Sequence, residues 1–228
     1  MIRPQHALRH APRANPPPIP PGPGDPKRSK AMKSEFWHER WESNQLGFHQ
    51  QEINPLLERW WSTLGLESGT PVFVPLCGKS LDMTWLRSQG HPVIGVEISP
   101  IAIRDFFLES GIEPTRESAG ALERLEGGGF ELYCGDLFEL TSGNVSEVQA
   151  VYDRASLIAL PPETRVRYAA HLARILPATV RILLVTIEYD QAKMSGPPHS
   201  VPRSEVESLF GDAFEIECLW SSGAQSPS

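Results

Sequence analysis

The sequence predicts one α/β domain, a Rossmann-like doubly wound sheet that is mostly parallel and carries helices on both faces. Three observations carry this prediction. Short apolar runs alternate with stretches of helical period along the chain. The first two runs, PVFVPL (71–76) and HPVIGVEI (91–98), flank a helical stretch at 80–89 and so make a βαβ unit. RILLVTIE (181–188) is apolar almost throughout, as a strand covered on both faces must be. Such a fold binds its ligand at the carboxyl ends of its strands.

Taken in order, residues 1–31 hold 9 of the 22 prolines and few apolar side chains, which predicts a disordered N-terminal extension. From Ser34, Phe36, Trp37 and Trp41 recur at helical spacing, and Ile53, Leu56, Leu57, Trp60 and Trp61 mark a second helix. Past the βαβ unit, Ser99-Pro100 reads as an N-cap with proline at the first helical position. The helix it opens carries Ile101, Ile103, Phe106 and Phe107. FELYC (130–134) and VQAVYD (148–153) are two further strands. Pro161-Pro162 starts a helix whose apolar face is Val166, Ala169, Ala170, Leu172 and Ile175. A helix at 203–210 and a strand at 214–220 follow. The domain is thus expected over 32–220, and SSGAQSPS (221–228) reads as a disordered tail. With Ala224 as its one apolar residue, the tail cannot supply a buried strand.

Composition narrows the function. The net charge of −7 is uneven: residues 1–31 carry six Lys/Arg and one Asp, leaving 15 Lys/Arg against 27 Asp/Glu for residues 32–228. An acidic body argues against nucleic acid and for a small ligand. Cys77, Cys134 and Cys218 lie too far apart to make a C-x-x-C pair, so neither a disulfide framework nor a zinc knuckle is indicated, and a reducing cytoplasm fits. No apolar run approaches the roughly 20 residues of a membrane span, and the start of the chain lacks the apolar core of a secretory signal.

The turn after the first strand of the βαβ unit, in VFVPLCGKSLDM (72–83), resembles a phosphate loop but lacks its chemistry. A P-loop needs a glycine where Phe73 stands, and the dinucleotide fingerprint G-x-G-x-x-G fails because Pro75, Leu76 and Cys77 occupy the turn and Gly78 is its only glycine. Glu97, 19 positions after Gly78 at the next strand end, is placed to accept hydrogen bonds from both hydroxyls of a ribose. As a bare strand-end carboxylate it would merely be solvated. Asp136 in YCGDLF (133–138) could meet an adenine amino group, although Asp-Gly chemistry also makes simple turns. Asp153 and Arg154 in VYDRAS (151–156) fall at the same rim, as site residues or as an ion pair. A nucleoside cradle without phosphate chemistry favours S-adenosylmethionine.

FWHERWESNQLGFH (36–49), VPLCGKSLDMTWL (74–86), GHPVIGVEIS (90–99), YCGDLF, YDRASLIALP (152–161) and TIEYDQAKMSGPPHSV (186–201) together resemble the bacterial thiopurine S-methyltransferase family. The likeness runs in unbroken order over about 32–217. It implies that Trp41 lies against S-adenosylmethionine, where helical spacing alone would make it core packing. It also implies that Leu76 binds the cofactor through backbone atoms with Glu97 and Arg154, that Phe48 and Arg154 border the acceptor, and that SGPPHSV (195–201) is a loop beside the active site. The implied reaction is methyl transfer to the sulfur of a thiopurine or another small thiol, with selenium or tellurium compounds as further acceptors. No metal and no general base are implied, and Arg154 is the candidate catalytic residue, favouring the thiolate or orienting the ring.

Folds of this class usually finish with an antiparallel strand inserted into the sheet, and nothing after FEIECLW (214–220) can form one, so strand 181–188 or 214–220 loses a ladder partner. The expectation is therefore a sheet missing that strand, a body beginning at Met32 that folds without residues 1–31, and a monomer. Two rival readings are a cofactor-binding relative with little activity and a nucleotide module reading ATP or NAD through Gly78-Lys79-Ser80.

Overall fold

The computed structural model describes residues 2–4, 35–43 and 50–222. The expected disorder of most of the N-terminal extension and of 223–228 lies outside the described residues, as does Phe48.

Among the described residues, nine strands form one sheet in the order β4-β5-β6-β3-β2-β7-β8-β1-β9. Its centre is the five parallel strands expected from the sequence: β6 (Phe130–Cys134), β3 (Val93–Glu97), β2 (Val72–Pro75), β7 (Ala150–Arg154) and β8 (Arg181–Val185). Their helices are α1 (35–42), α2 (Pro55–Trp60), α3 (Leu81–Ser88), α4 (Pro100–Glu109), α5 (Pro162–Ile175) and α6 (Arg203–Phe210). Cap chemistry starts three of them. The side chains of Asn54, Ser80 and Ser99 accept from the backbone amides of Leu56, Asp82 and Ala102.

Successive strand residues serve opposite faces, and each face has its own core. Phe73, Val151 and Ile182 join Tyr168, Leu172 and Phe210 of α5 and α6. Val72, Val74, Tyr152 and Leu183 join the other core, with Leu57, Met83 and Phe106 of α2, α3 and α4. The doubly wound arrangement thus follows from one alternation of apolar side chains.

Three features depart from the sequence reading. β4 (Thr115–Ala119) and β5 (Leu122–Gly127) make an antiparallel hairpin on β6, with no expectation before them. β4 is exposed almost throughout, and the buried residues of β5, Leu122 and Leu125, are three apart instead of two, so no strand period shows. The last strand, β9, is only Phe214–Ile216, and residues 217–220 leave the sheet. Finally, an antiparallel strand does enter the sheet where one was expected to be missing: β1 (Ile2–Pro4), a part of the extension expected to be disordered, lies between β8 and β9. The cause is the unpaired backbone edge of β8, which any extended segment that reaches it can satisfy, whatever the pattern of its side chains.

Candidate active site

The order of the central strands reverses between β2 and β7, so their carboxyl ends part there and open a crevice. A cleft of about 1540 Å³ occupies it. Leu76 (φ 45°) and Ala155 (φ 72°), the residues that follow these two strands, are the non-glycine residues with left-handed backbone among those described. Both line the cleft. Such backbone costs on the order of 1–3 kcal/mol and persists only where the surroundings impose it, which marks the two turns as built for a purpose. Ser156 fastens them together by donating its hydroxyl to the Pro75 carbonyl at 2.6 Å.

Glu97 ends β3 and is buried against the first of these turns. One carboxylate oxygen accepts from the Gly78 amide at 3.0 Å and the other from the Ser99 amide at 2.8 Å. Burial pushes its pKa up, and the amides of Ser99, Gly78 and Ile98 oppose that shift. Each oxygen keeps a further lone pair for a ligand. Gly78 (φ 54°) is needed for its left-handed backbone and for the space above it, because a Cβ there would stand 3.3 Å from the Trp41 ring. Trp41, almost fully buried, thus roofs the turn from α1. Cys77 also lines the cleft, but burial and the neighbouring Glu97 hold its thiol well above the usual range, which denies it a nucleophilic role.

The two residues that suggested a phosphate loop are engaged in the fold. Lys79 pairs with Glu109 of α4 at 2.5 Å, and the Ser80 hydroxyl caps α3. Arg154, the last residue of β7, lines the cleft. Among the described residues its guanidinium has no hydrogen-bond or ion-pair partner. Asp153 does not pair with it, contrary to the shared rim read from the sequence. Strand alternation turns Asp153 into the core, where it accepts from the Tyr168 hydroxyl at 2.6 Å and the Leu157 amide at 3.2 Å.

The structure therefore brings Trp41, Leu76, Glu97 and Arg154 around one cleft. Asp136 stands one strand further, after β6, where its carboxylate accepts from the Phe138 amide and caps a short helix at Leu137–Glu139. It is not among the cleft-lining residues. Residues that sequence reasoning missed complete the walls. Tyr152 lines the cleft and donates to Asp82 at 2.9 Å, and Asp82 also accepts from the Asn54 amide at 2.8 Å, locking α2 and α3 to β7. Pro197 and Pro198 come from the loop expected beside the site, Tyr189 comes from the segment before it, and 217–222 supply the far wall. An acid in a helix and a tyrosine in a strand, 70 residues apart, carry no local signal of their contact.

Solved structures share this architecture. A Burkholderia thailandensis 1,6-didemethyltoxoflavin-N1-methyltransferase, with S-adenosylhomocysteine bound, superposes with a TM-score of 0.59 at 15% identity over 84% of this chain and 80% of its own. A magnesium protoporphyrin IX methyltransferase from Synechocystis gives 0.54 at 16% identity, over 80% and 88%. The fold is that of the S-adenosylmethionine-dependent methyltransferases. Among closer relatives, the thiopurine S-methyltransferase of Nitrosospira multiformis is 52% identical over 188 residues, 82% of this chain and 86% of its own length. A probable thiopurine S-methyltransferase of Yarrowia lipolytica is 47% identical over 190 residues, 82% and 89%. The sequence profile of that family matches residues 32–227, and the chain belongs to the thiopurine S-methyltransferase family. It is an enzyme that transfers a methyl group from S-adenosylmethionine.

Proposed function

We propose that the acceptor is the sulfur of a thiopurine or another small heteroaromatic thiol, and that the chain acts as a monomer in the cytoplasm. One observation carries the acceptor: Arg154 offers an unpaired cation, among the described residues, at the rim of a cleft that Leu76, Ile158, Val185 and Ile187 also line. A flat apolar ring carrying a thiolate suits that combination, and softer selenium or tellurium nucleophiles share its charge. The names of the relatives point the same way. The acidic body speaks against nucleic acid. The three cysteines are unpaired, which agrees with a reducing compartment, and no helix among the described residues is long and apolar enough to cross a membrane.

The residues at the turn after β2 fit the methyl donor. Glu97 would hold its ribose hydroxyls, Leu76 would meet it with left-handed backbone, and Trp41 would close over it. Asp136 would border its adenine end, and Phe48 the acceptor. When bound, S-adenosylmethionine supplies a methyl group on a positively charged sulfur, already activated for displacement. What remains for the protein is positioning, which can account for about 7–11 kcal/mol of a barrier. Arg154 favours the ionised thiol by its charge and orients the ring, so no residue has to remove a proton. Engagement of Lys79 and Ser80 within the fold weighs against a nucleotide phosphate as ligand.

Arg154→Ala tests the reading. Loss of a charged hydrogen-bond donor corresponds to about 1.5–3 kcal/mol, so kcat/KM on a thiopurine should fall roughly 10- to 150-fold. Arg154→Lys should recover part of it. An unchanged kcat/KM in Arg154→Ala removes Arg154 from the reaction.

A further inference from the structure

We propose that the N-terminal residues Ile2–Pro4 are a positioning element of the active site: an inserted strand whose pairing holds β9 and, through it, the far wall of the cleft. The topology leads to this. β9 does not pair with β8 directly, and β1 stands between them as its strand neighbour in the sheet. Ile2 is opposite Ile182 of β8 on one side and Ile216 of β9 on the other, while Arg3 faces Glu215 and Pro4 faces Phe214. Every backbone N–H and C=O of β9 that enters a ladder enters it with β1. The other anchors of β9 are side chains: the buried Phe214 ring, 6.0 Å from Phe210 of α6, and the partly buried Ile216 on the same core.

From Ile216 the chain continues at once into 217–222, of which Cys218, Leu219 and Trp220 line the cleft and Leu219 packs on the core under α2. The opposite wall, with Leu76 and Glu97, belongs to strands that do not touch β1. A strand drawn from one end of the chain therefore sets the wall formed by the other. Because β1 lies between two neighbours, the backbone groups of its successive residues point at one strand and then the other, and Pro4 offers only its carbonyl. Recognition is by main chain, so the slot between β8 and β9 selects an extended antiparallel segment by shape and not by side-chain identity. Its occupant is this chain's own N-terminus. The inference is independent of which thiol is methylated.

Hydrogen exchange on the full chain tests it. Arg3→Pro removes one ladder donor and keeps the length, whereas Arg3→Lys keeps the donor. Amides of 214–222 should exchange at least about tenfold faster in Arg3→Pro than in the wild type or Arg3→Lys, with 72–75 and 93–97 unchanged as proof that the central sheet is intact. The KM for the thiol should rise while S-adenosylhomocysteine affinity stays within about twofold. Equal exchange of 214–222 in all three proteins overturns the proposal. Should Arg3→Pro fail to fold, a second test remains. Arg3→Cys with Glu215→Cys, in a Cys218→Ser background, places two thiols on opposed Cα partners and should close a disulfide within one chain on mild oxidation. Absence of that cross-link, or its formation only between chains, rejects the arrangement.

Discussion

Glu97 takes one backbone amide on each carboxylate oxygen, from Gly78 and from Ser99, so its replacement touches the turn as well as the ligand. In Glu97→Gln one of those amides would face an NH2 group. The loss of charged acceptors, at about 1.5–3 kcal/mol, predicts an S-adenosylhomocysteine Kd raised roughly 10- to 150-fold by calorimetry, together with a lower unfolding midpoint. An affinity within about twofold of wild type refutes the ribose assignment. Lys79→Ala makes the contrasting case. Its partner Glu109 is about half exposed, so the pair contributes less than about 1 kcal/mol, and both stability and S-adenosylhomocysteine binding should be nearly unchanged. Tight ATP binding by the wild type that vanishes in this variant would overturn the methyltransferase site. Residue positions at the cleft were legible where spacing from a strand end defines them, as for Glu97. They were illegible where a backbone angle decides, as at Ala155, because alanine carries no preference for the left-handed region it occupies.

Among the elements, α5 carries a pH dependence that its sequence conceals. Within it, His171 is almost fully buried, with Nε2 3.0 Å from the Leu137 carbonyl and Nδ1 2.7 Å from Arg174. The first bond needs a proton on Nε2, and the second needs Nδ1 bare, so the fold holds the neutral ring. Burial, then the charge of Arg174, push its pKa below the ordinary 6.5. The unfolded chain thus binds the proton more readily. Stability from His171 is complete above about pH 6.5 and is lost as pH falls through the lowered folded value. His199, lowered by burial and by Arg165, adds to the same window. The urea midpoint of the wild type should drop between about pH 7.5 and 5.5, and His171→Gln should drop less. Equal drops refute the account. The helix itself was readable from its proline start, but its apolar face only in part: Ala169, Leu172 and Ile175 are buried as expected, whereas Val166 and Ala170 are exposed and Arg165 and Tyr168 are buried instead. By contrast, the β4–β5 hairpin was not readable, since exposed polar strands take their stability from the neighbour they pair with and show no apolar period.

At the scale of the whole molecule, a chain beginning at Met32, expected from sequence to fold unimpaired, should instead be less stable, because it lacks the strand between β8 and β9. Several ladder hydrogen bonds at about 0.5–1.5 kcal/mol each disappear, which predicts an unfolding midpoint lower by more than about 4 °C. Equal midpoints for the two chains would show that β1 contributes nothing to the sheet. Sequence by itself determined the five parallel strands, the helix starts at Pro100 and Pro162, and the strand ends, with that of Glu97 among them, at which the cleft lies. All of these depend on interactions among near neighbours in the chain: a period of two or 3.6, a side chain capping an amide two or three residues on, a turn that fails to match a phosphate loop. Tertiary structure alone decided that Asp153 faces the core and leaves Arg154 without a partner among the described residues, that Lys79 belongs to Glu109, and that residue 2 lies opposite residues 182 and 216. Those contacts join groups far apart in sequence, and the last is made by main-chain atoms that every residue shares, so no pattern of side chains records them.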